Sequence, residues 1–200
     1  MKLYILRHGE TEWNREDRVQ GRMDSPLTKK GLEDIAMMAH RLSHIPIDIC
    51  YTSDLPRAKK TAEGLINNRK IPIIEEEALR ELPLGSWEGK LFKDIQNDPN
   101  SVVYFQTPDQ FHLPGLENFH DLYKGMGEFI QRLESEPKEH ILIVAHGVSI
   151  RALLNVLEGV PVARFWHRPI AKSMGLTIAS CEKGKWQVLQ RADQKDGLSY

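Results

Sequence analysis

LYILRHGETEWN, residues 3–14, is the stretch on which the fold turns. Four strand-favouring residues run straight into an arginine, a histidine and a glycine. So short an apolar run, closed by a turn residue, reads as a buried strand rather than a helix. Ending that strand with Arg7 and His8 puts a cation and an imidazole at one point, which is costly unless something anionic sits there.

Outward from this strand, helical and strand patterns alternate. From Thr28 onward Leu32, Ile35, Ala36, Ala39 and Leu42 recur at helical spacing, and IDICYTS is a second strand. A helix follows it, with Ser53 as the candidate N-cap and Pro56 in its first turn. IPIIEE reads as a third strand and HILIVAH as a fourth, leading into the helical run VSIRALLNVL. Phe119, Leu122, Tyr123, Met126, Phe129, Ile130 and Leu133 mark an amphipathic helix. Two strands around Lys183-Gly184 form a C-terminal hairpin. The fold class is therefore α/β: a mostly parallel central sheet flanked by helices on both faces. Residues 82–117, rich in Gly, Pro and aromatics, are expected to form a small inserted cap, and residues 193–200 a loose tail.

The chain of 200 residues is expected to be one domain, 1–200. Its formal net charge of -1 gives no global reason to expect nucleic acid or membrane partners, so any anion binding is local. The N-terminus enters a strand at once, without a signal-peptide core, and a cytoplasmic location is expected. Cys50 and Cys181 read as buried thiols. His40, His44, His112, His120, His140 and His167 are scattered without metal-ligand spacing, so no metal site is expected.

In open parallel sheets ligands bind beyond the carboxyl ends of the strands. LRHG, TSDLPRAKKTA and VAHG bring Arg7, His8, Arg57 and His146 to such ends. Arg57 falls in the first turn of its helix, where the macrodipole disfavours a cation, so a nearby anion would account for it. A tetrahedral phosphoryl group fits this set: guanidinium forks match its oxygens, and helix amides add further donors. One neutral imidazole can attack phosphorus, and a second can sit protonated beside the same oxygens. The leaving oxygen needs a proton, for which Glu81 in LRELPLGSWEG is the candidate and Glu88 the rival.

LRHGETEWN, GRMDSPLTKKG, YTSDLPRAKKTA, LRELPLGSWEG and LIVAHG, in this order, resemble the histidine phosphatase superfamily, also called the phosphoglycerate mutase-like family. The resemblance spans roughly residues 2–158. It implies a three-layer α/β/α sandwich with an inserted cap, and metal-independent phosphomonoester hydrolysis without a cofactor. It implies that His8 is the phosphorylated nucleophile, that Arg7 and Arg57 clamp the phosphoryl oxygens, that His146 completes the pocket and that Glu81 donates the proton. Asn14, Gln20, Gly21 and Gly147 match positions that touch phosphate or close over it.

The family also contains 2,3-bisphosphoglycerate-dependent mutases and non-catalytic phosphate-binding members, which stand as alternatives. Residues 82–116 contain no arginine and only Lys90 and Lys93 as cations, which argues for hydrolysis over mutase action. Leu84, Trp87, Leu91, Phe92, Val102, Val103, Tyr104, Phe105 and Phe111 form either the cap's own core or an apolar wall for the organic part of a substrate. GSWEG and a compact cap resemble the small phosphatase branch, with its broad-specificity and α-ribazole phosphatases. PGLEN departs from that branch's PGGES-like segment at Leu116 and Asn118. The expected partner is a small phosphomonoester, with the chain a monomer or homodimer.

Overall fold

In the computed structural model, which describes residues 1–192, strand β1 (Lys2–Arg7) lies in the middle of the sheet. It runs parallel to β4 (His140–Ala145), in register from Lys2 opposite His140 to Arg7 opposite Ala145. β2 (Ile49–Thr52) pairs in parallel with the far side of β4, and β3 (Ile73–Glu75) with β2. β5 (Leu176–Glu182) and β6 (Lys185–Gln190) are antiparallel, and the six strands lie in the order β3-β2-β4-β1-β5-β6. The sheet is mixed and mostly parallel. Lys183 and Gly184, with φ of 51° and 73°, make the two-residue turn of the hairpin.

The inner strands are buried on both faces, which is why they read as unbroken apolar runs. Leu3 and Ile5 of β1 face one core with Ile141 and Ile143, while Tyr4 and Leu6 face a second with Leu142 and Val144. The second core is covered by α2 (Lys29–Leu42) and α3 (Pro56–Ile66), the first by α6 (Phe119–Glu134) and α7 (Gly147–Leu157). Two short helices, α4 (Phe92–Ile95) and α5 (Pro99–Gln106), form the inserted cap, and α1 (Glu12–Arg15) follows the first strand. No helix among the described residues is long and apolar enough to cross a membrane.

Several expectations shift in detail. In α2 the buried face is Ile35, Met38 and Leu42, whereas Leu32 is 56% exposed and Ala36 is also exposed. The buried face thus includes only part of the apolar set the spacing suggested, together with Met38. The third strand is only Ile73–Glu75, an edge strand with one neighbour. Cys50 is fully buried and burial pushes its thiol up to about 12, but Cys181 is only half-buried on the hairpin. The expected tail, 193–200, lies outside the described residues.

The cap aromatics resolve into a core rather than a wall. Trp87, Tyr104 and Phe111 are buried and pack against one another, Tyr104 edge-to-face with the other two, with ring centroids 5.0–5.8 Å apart. Phe119 of α6, Phe165 and Trp166 join them from outside the cap, and Trp166 donates its indole N–H to the Tyr104 carbonyl. Val102 and Phe105 remain exposed.

Candidate active site

β1, β2 and β4 end level with one another, and the ladder continues one residue past the ends of β1 and β2. His8 N–H donates to Ala145 O at 3.0 Å, and Ser53 N–H to Val144 O at 3.0 Å. His8 and Ser53 are thus set by backbone bonds to the β4 strand that His146 follows, and the His146 N–H donates to Ser149 Oγ at 3.0 Å. Each follows its strand directly, so its position is as fixed as the sheet itself.

His8 is buried, and its Nδ1 lies 2.8 Å from the Gly9 carbonyl. A carbonyl can only accept, so Nδ1 carries the ring proton and Nε2 keeps its lone pair. Gly9 is itself held, its N–H donating to Thr61 Oγ1 at 3.0 Å. Burial, with Arg57 and Arg7 alongside, holds the His8 ring well below the usual histidine range, against the pull of the Gly9 carbonyl. The ring is neutral, as a nucleophile requires.

The His146 ring lies 5.2 Å from that of His8, centroid to centroid. It too is buried, and burial, Arg57, His8 and Arg7 hold it well below the usual range. Two guanidiniums already supply positive charge here, and a third buried cation would face both.

Arg57 sits one residue past Pro56, the first residue of α3. Its NH1 donates to Met23 O at 2.8 Å and to Asp24 Oδ1 at 3.2 Å, and its NH2 to Gly21 O at 2.7 Å. The anion expected beside Arg57 is in part the protein's own Asp24. Arg7 donates from NH1 to Ala171 O at 3.1 Å. In both arginines Nε is a buried donor without a partner, and Nδ1 of His146 is also buried and unpaired. Buried polar groups are almost always paired, so three orphaned nitrogens around one imidazole mark a place built for an acceptor-rich ligand.

Glu81 meets the start of α7. Its Oε2 accepts from Val148 N–H and its Oε1 from Ser149 N–H, both at 3.0 Å, and Oε1 also accepts from Leu82 N–H at 3.1 Å. It lies close enough to Arg7 and Arg57 to oppose the effect of burial on both. The neighbouring Arg80 anchors this turn by a two-pronged ion pair with Asp54. Glu88 is spent elsewhere: it accepts from Leu84, Arg22 and Met23 N–H groups and braces the loop from Val19 to Asp24. The geometry favours Glu81 over its rival.

Of the remaining expected residues, Gly21 and Gly147 touch this centre through Arg57 and Arg7. Asn14 uses Oδ1 to accept from Thr11 N–H at 3.1 Å and from the Thr11 hydroxyl at 3.0 Å. Gln20 is buried, with its Oε1 unpartnered. Gly21 has φ of 52°, and a Cβ there would fall 2.2 Å from Glu88 Oε1. Gly147 opens α7, where a Cβ would lie 2.8 Å from Ile170 Cγ2 and 3.6 Å from Arg7 Cζ.

Sequence reading missed Ser53, Thr61, Asp24 and Arg22. Ser53 is not the N-cap of α3, which is Leu55; its Oγ instead lies 2.8 Å from His146 Nε2. Position alone could have found it, because Ser53 follows β2 as His8 follows β1. Arg22 donates to the Glu81 carbonyl at 3.2 Å and pairs with Glu117, the acid of PGLEN. A groove of about 640 Å³ between α2 and α3 holds none of these residues.

The sequence profile of the Histidine phosphatase superfamily (branch 1) matches residues 3–194, nearly the full length. This chain belongs to that superfamily. The adenosylcobalamin/alpha-ribazole phosphatase of Salmonella typhimurium is 31% identical over 91% of this chain and 92% of its own. A protein of Cronobacter sakazakii named "Probable phosphoglycerate mutase GpmB" is 32% identical over 80% of this chain and 76% of its own. Among solved structures, Bacillus stearothermophilus YhfR superposes with a TM-score of 0.89 at 36% identity, covering 97% of this chain and 98% of that one. The protein is an enzyme, a phosphatase of the histidine phosphatase type.

Proposed function

We propose that this histidine phosphatase hydrolyses small phosphomonoesters without a metal, through transient phosphorylation of His8. The observation that carries the reading is a buried His8 ring held at Nδ1 by the Gly9 carbonyl, with two guanidiniums beside it whose buried Nε donors lack partners. Arg7 and Arg57 receive the phosphoryl oxygens, and charge-assisted bonds to them strengthen as negative charge builds in the transition state. His8 Nε2 attacks phosphorus, the ester P–O bond breaks, and Glu81, acting as the general acid, gives a proton to the leaving oxygen. In the second half Glu81 takes a proton from water as the water attacks phosphorus. The P–N bond then breaks, releasing inorganic phosphate and restoring neutral His8. Asn14, Gln20, Gly21 and Gly147 line the phosphate side of this site.

Mutase action would need a cradle that retains a doubly anionic intermediate. In the cap, Lys90 and Lys93 are both exposed, and Arg22 at the mouth is engaged with Glu117. Both features support hydrolysis. The test is to incubate the enzyme with 3-phosphoglycerate and with aryl and alkyl phosphates, in the presence and absence of EDTA, and to assay products. Release of inorganic phosphate, undiminished by the chelator, is expected; isomerisation without release would overturn the reading in favour of the mutase.

A further inference from the structure

We infer that Ser53 is a positioning residue: it fixes His146 as the neutral tautomer protonated on Nδ1, so that His146 offers the phosphoryl group an N–H rather than a lone pair. The assignment follows from counting protons in a dry place. Ser53 is fully buried, so its hydroxyl proton has no water to go to. Its Oγ already accepts from Leu55 N–H at 3.2 Å. Among the described residues its other partner is His146 Nε2, at 2.8 Å. A hydroxyl that accepts on one side satisfies its own proton by donating on the other, and a ring nitrogen can accept only when it carries no proton.

With Nε2 accepting, the one proton of the neutral ring sits on Nδ1, the nitrogen left buried and unpaired. The opposite tautomer would present a lone pair to phosphoryl oxygens and strand the serine proton. The imidazolium would strand it as well, with Arg7, Arg57 and His8 all facing the added charge. The two active-site histidines thus share a tautomer but present opposite ends. His8 is held at Nδ1 by Gly9 and shows Nε2 to the substrate; His146 is held at Nε2 by Ser53 and shows Nδ1–H.

The inference builds on the proposed phosphoryl site, but its test does not need turnover. Long-range proton–nitrogen correlation spectra of ¹⁵N-histidine protein, without ligand at neutral pH, report each ring's protonated nitrogen directly. His146 is expected to show a protonated Nδ1 and an unprotonated Nε2. A proton on Nε2, in either the neutral or the doubly protonated ring, would overturn the inference even if His8 proves to be the nucleophile. In Ser53→Ala the Nδ1–H signature is expected to give way to Nε2–H or a mixture. With it, kcat/KM for aryl phosphates and the affinity for inorganic phosphate should fall on the order of tenfold, the scale of one hydrogen bond. A folded Ser53→Ala enzyme with the His146 signature unchanged would leave Ser53 a packing residue and refute its role. If that variant does not fold, the wild-type spectrum alone decides. A spectrum as expected from an enzyme that never labels His8 would instead place the fault with the proposed mechanism.

Discussion

At the scale of single residues, the site works by leaving specific atoms unpaired. Glu81 is tied by three amide N–H groups within electrostatic reach of Arg7 and Arg57, and neither guanidinium Nε is consumed. Its proposed duty is to protonate the departing oxygen, so the cost of removing it depends on how much that oxygen needs a proton. Glu81→Gln should lower kcat/KM for alkyl phosphates by about 10²- to 10⁴-fold, the usual worth of a general acid, and far less for p-nitrophenyl phosphate. Equal losses on the two substrates, measured side by side, would point away from Glu81 as the acid. Arg7, His8, Arg57 and His146 were marked in the sequence because each lies at or shortly after a strand end, whereas Glu81, six residues past β3, was singled out over Glu88 by the family resemblance rather than by its spacing. Ser53 and Thr61 were not, because a hydroxyl after a strand or inside a helix has a common local use, and only the fold shows that these two reach His146 and the Gly9 peptide instead.

At the scale of elements, the loop from Val19 to Asp24 matters more than its length suggests. It presents Gly21 O and Met23 O to Arg57 and is itself held by Glu88. Gly21 is the hinge of this arrangement, with a positive φ and no room for a side chain. Gly21→Ala should cost about 1–3 kcal/mol of stability, from backbone strain and displacement of Glu88. It should also weaken competitive inhibition by inorganic phosphate, because the carbonyl that orients Arg57 moves. Denaturant titration and inhibition measurements check the two effects separately; a shift in stability with phosphate inhibition unchanged would mean that Arg57 is oriented by Met23 and Asp24 alone. Helix and strand order was readable from apolar periodicity, but the facing of α2 was not. Leu32, read as part of the apolar face, is exposed, while Met38, left out of that reading, is buried in the core that α2 and α3 cover. The cap's interior was likewise undecidable from its own residues, because Phe165 and Trp166, which complete its aromatic cluster, come from far along the chain.

At the scale of the whole molecule, the sheet carries its chemistry at the price of two neutral histidines in its interior. Both fold into places that hold their proton affinity well below the free value, whereas in the unfolded chain they titrate normally. Below the unfolded pKa of about 6.5 the unfolded state binds more protons, so stability falls as pH falls from there toward the depressed folded values, by about 1.4 kcal/mol per pH unit for each histidine. Denaturant unfolding at pH 7, 6 and 5 should show this decline, and His8→Ala should reduce its slope; a flat profile would mean that the rings take up protons in the folded state. The central claim, that His8 becomes the phosphoryl carrier, is tested most directly by quenching the working enzyme in alkali, which preserves phosphorus–nitrogen bonds, and locating the added phosphate by peptide mass spectrometry. Phosphate on the peptide containing His8, absent in an inactive His8→Ala variant, is the expected result; an enzyme that releases phosphate while that peptide stays unmodified, or that labels elsewhere, would contradict it.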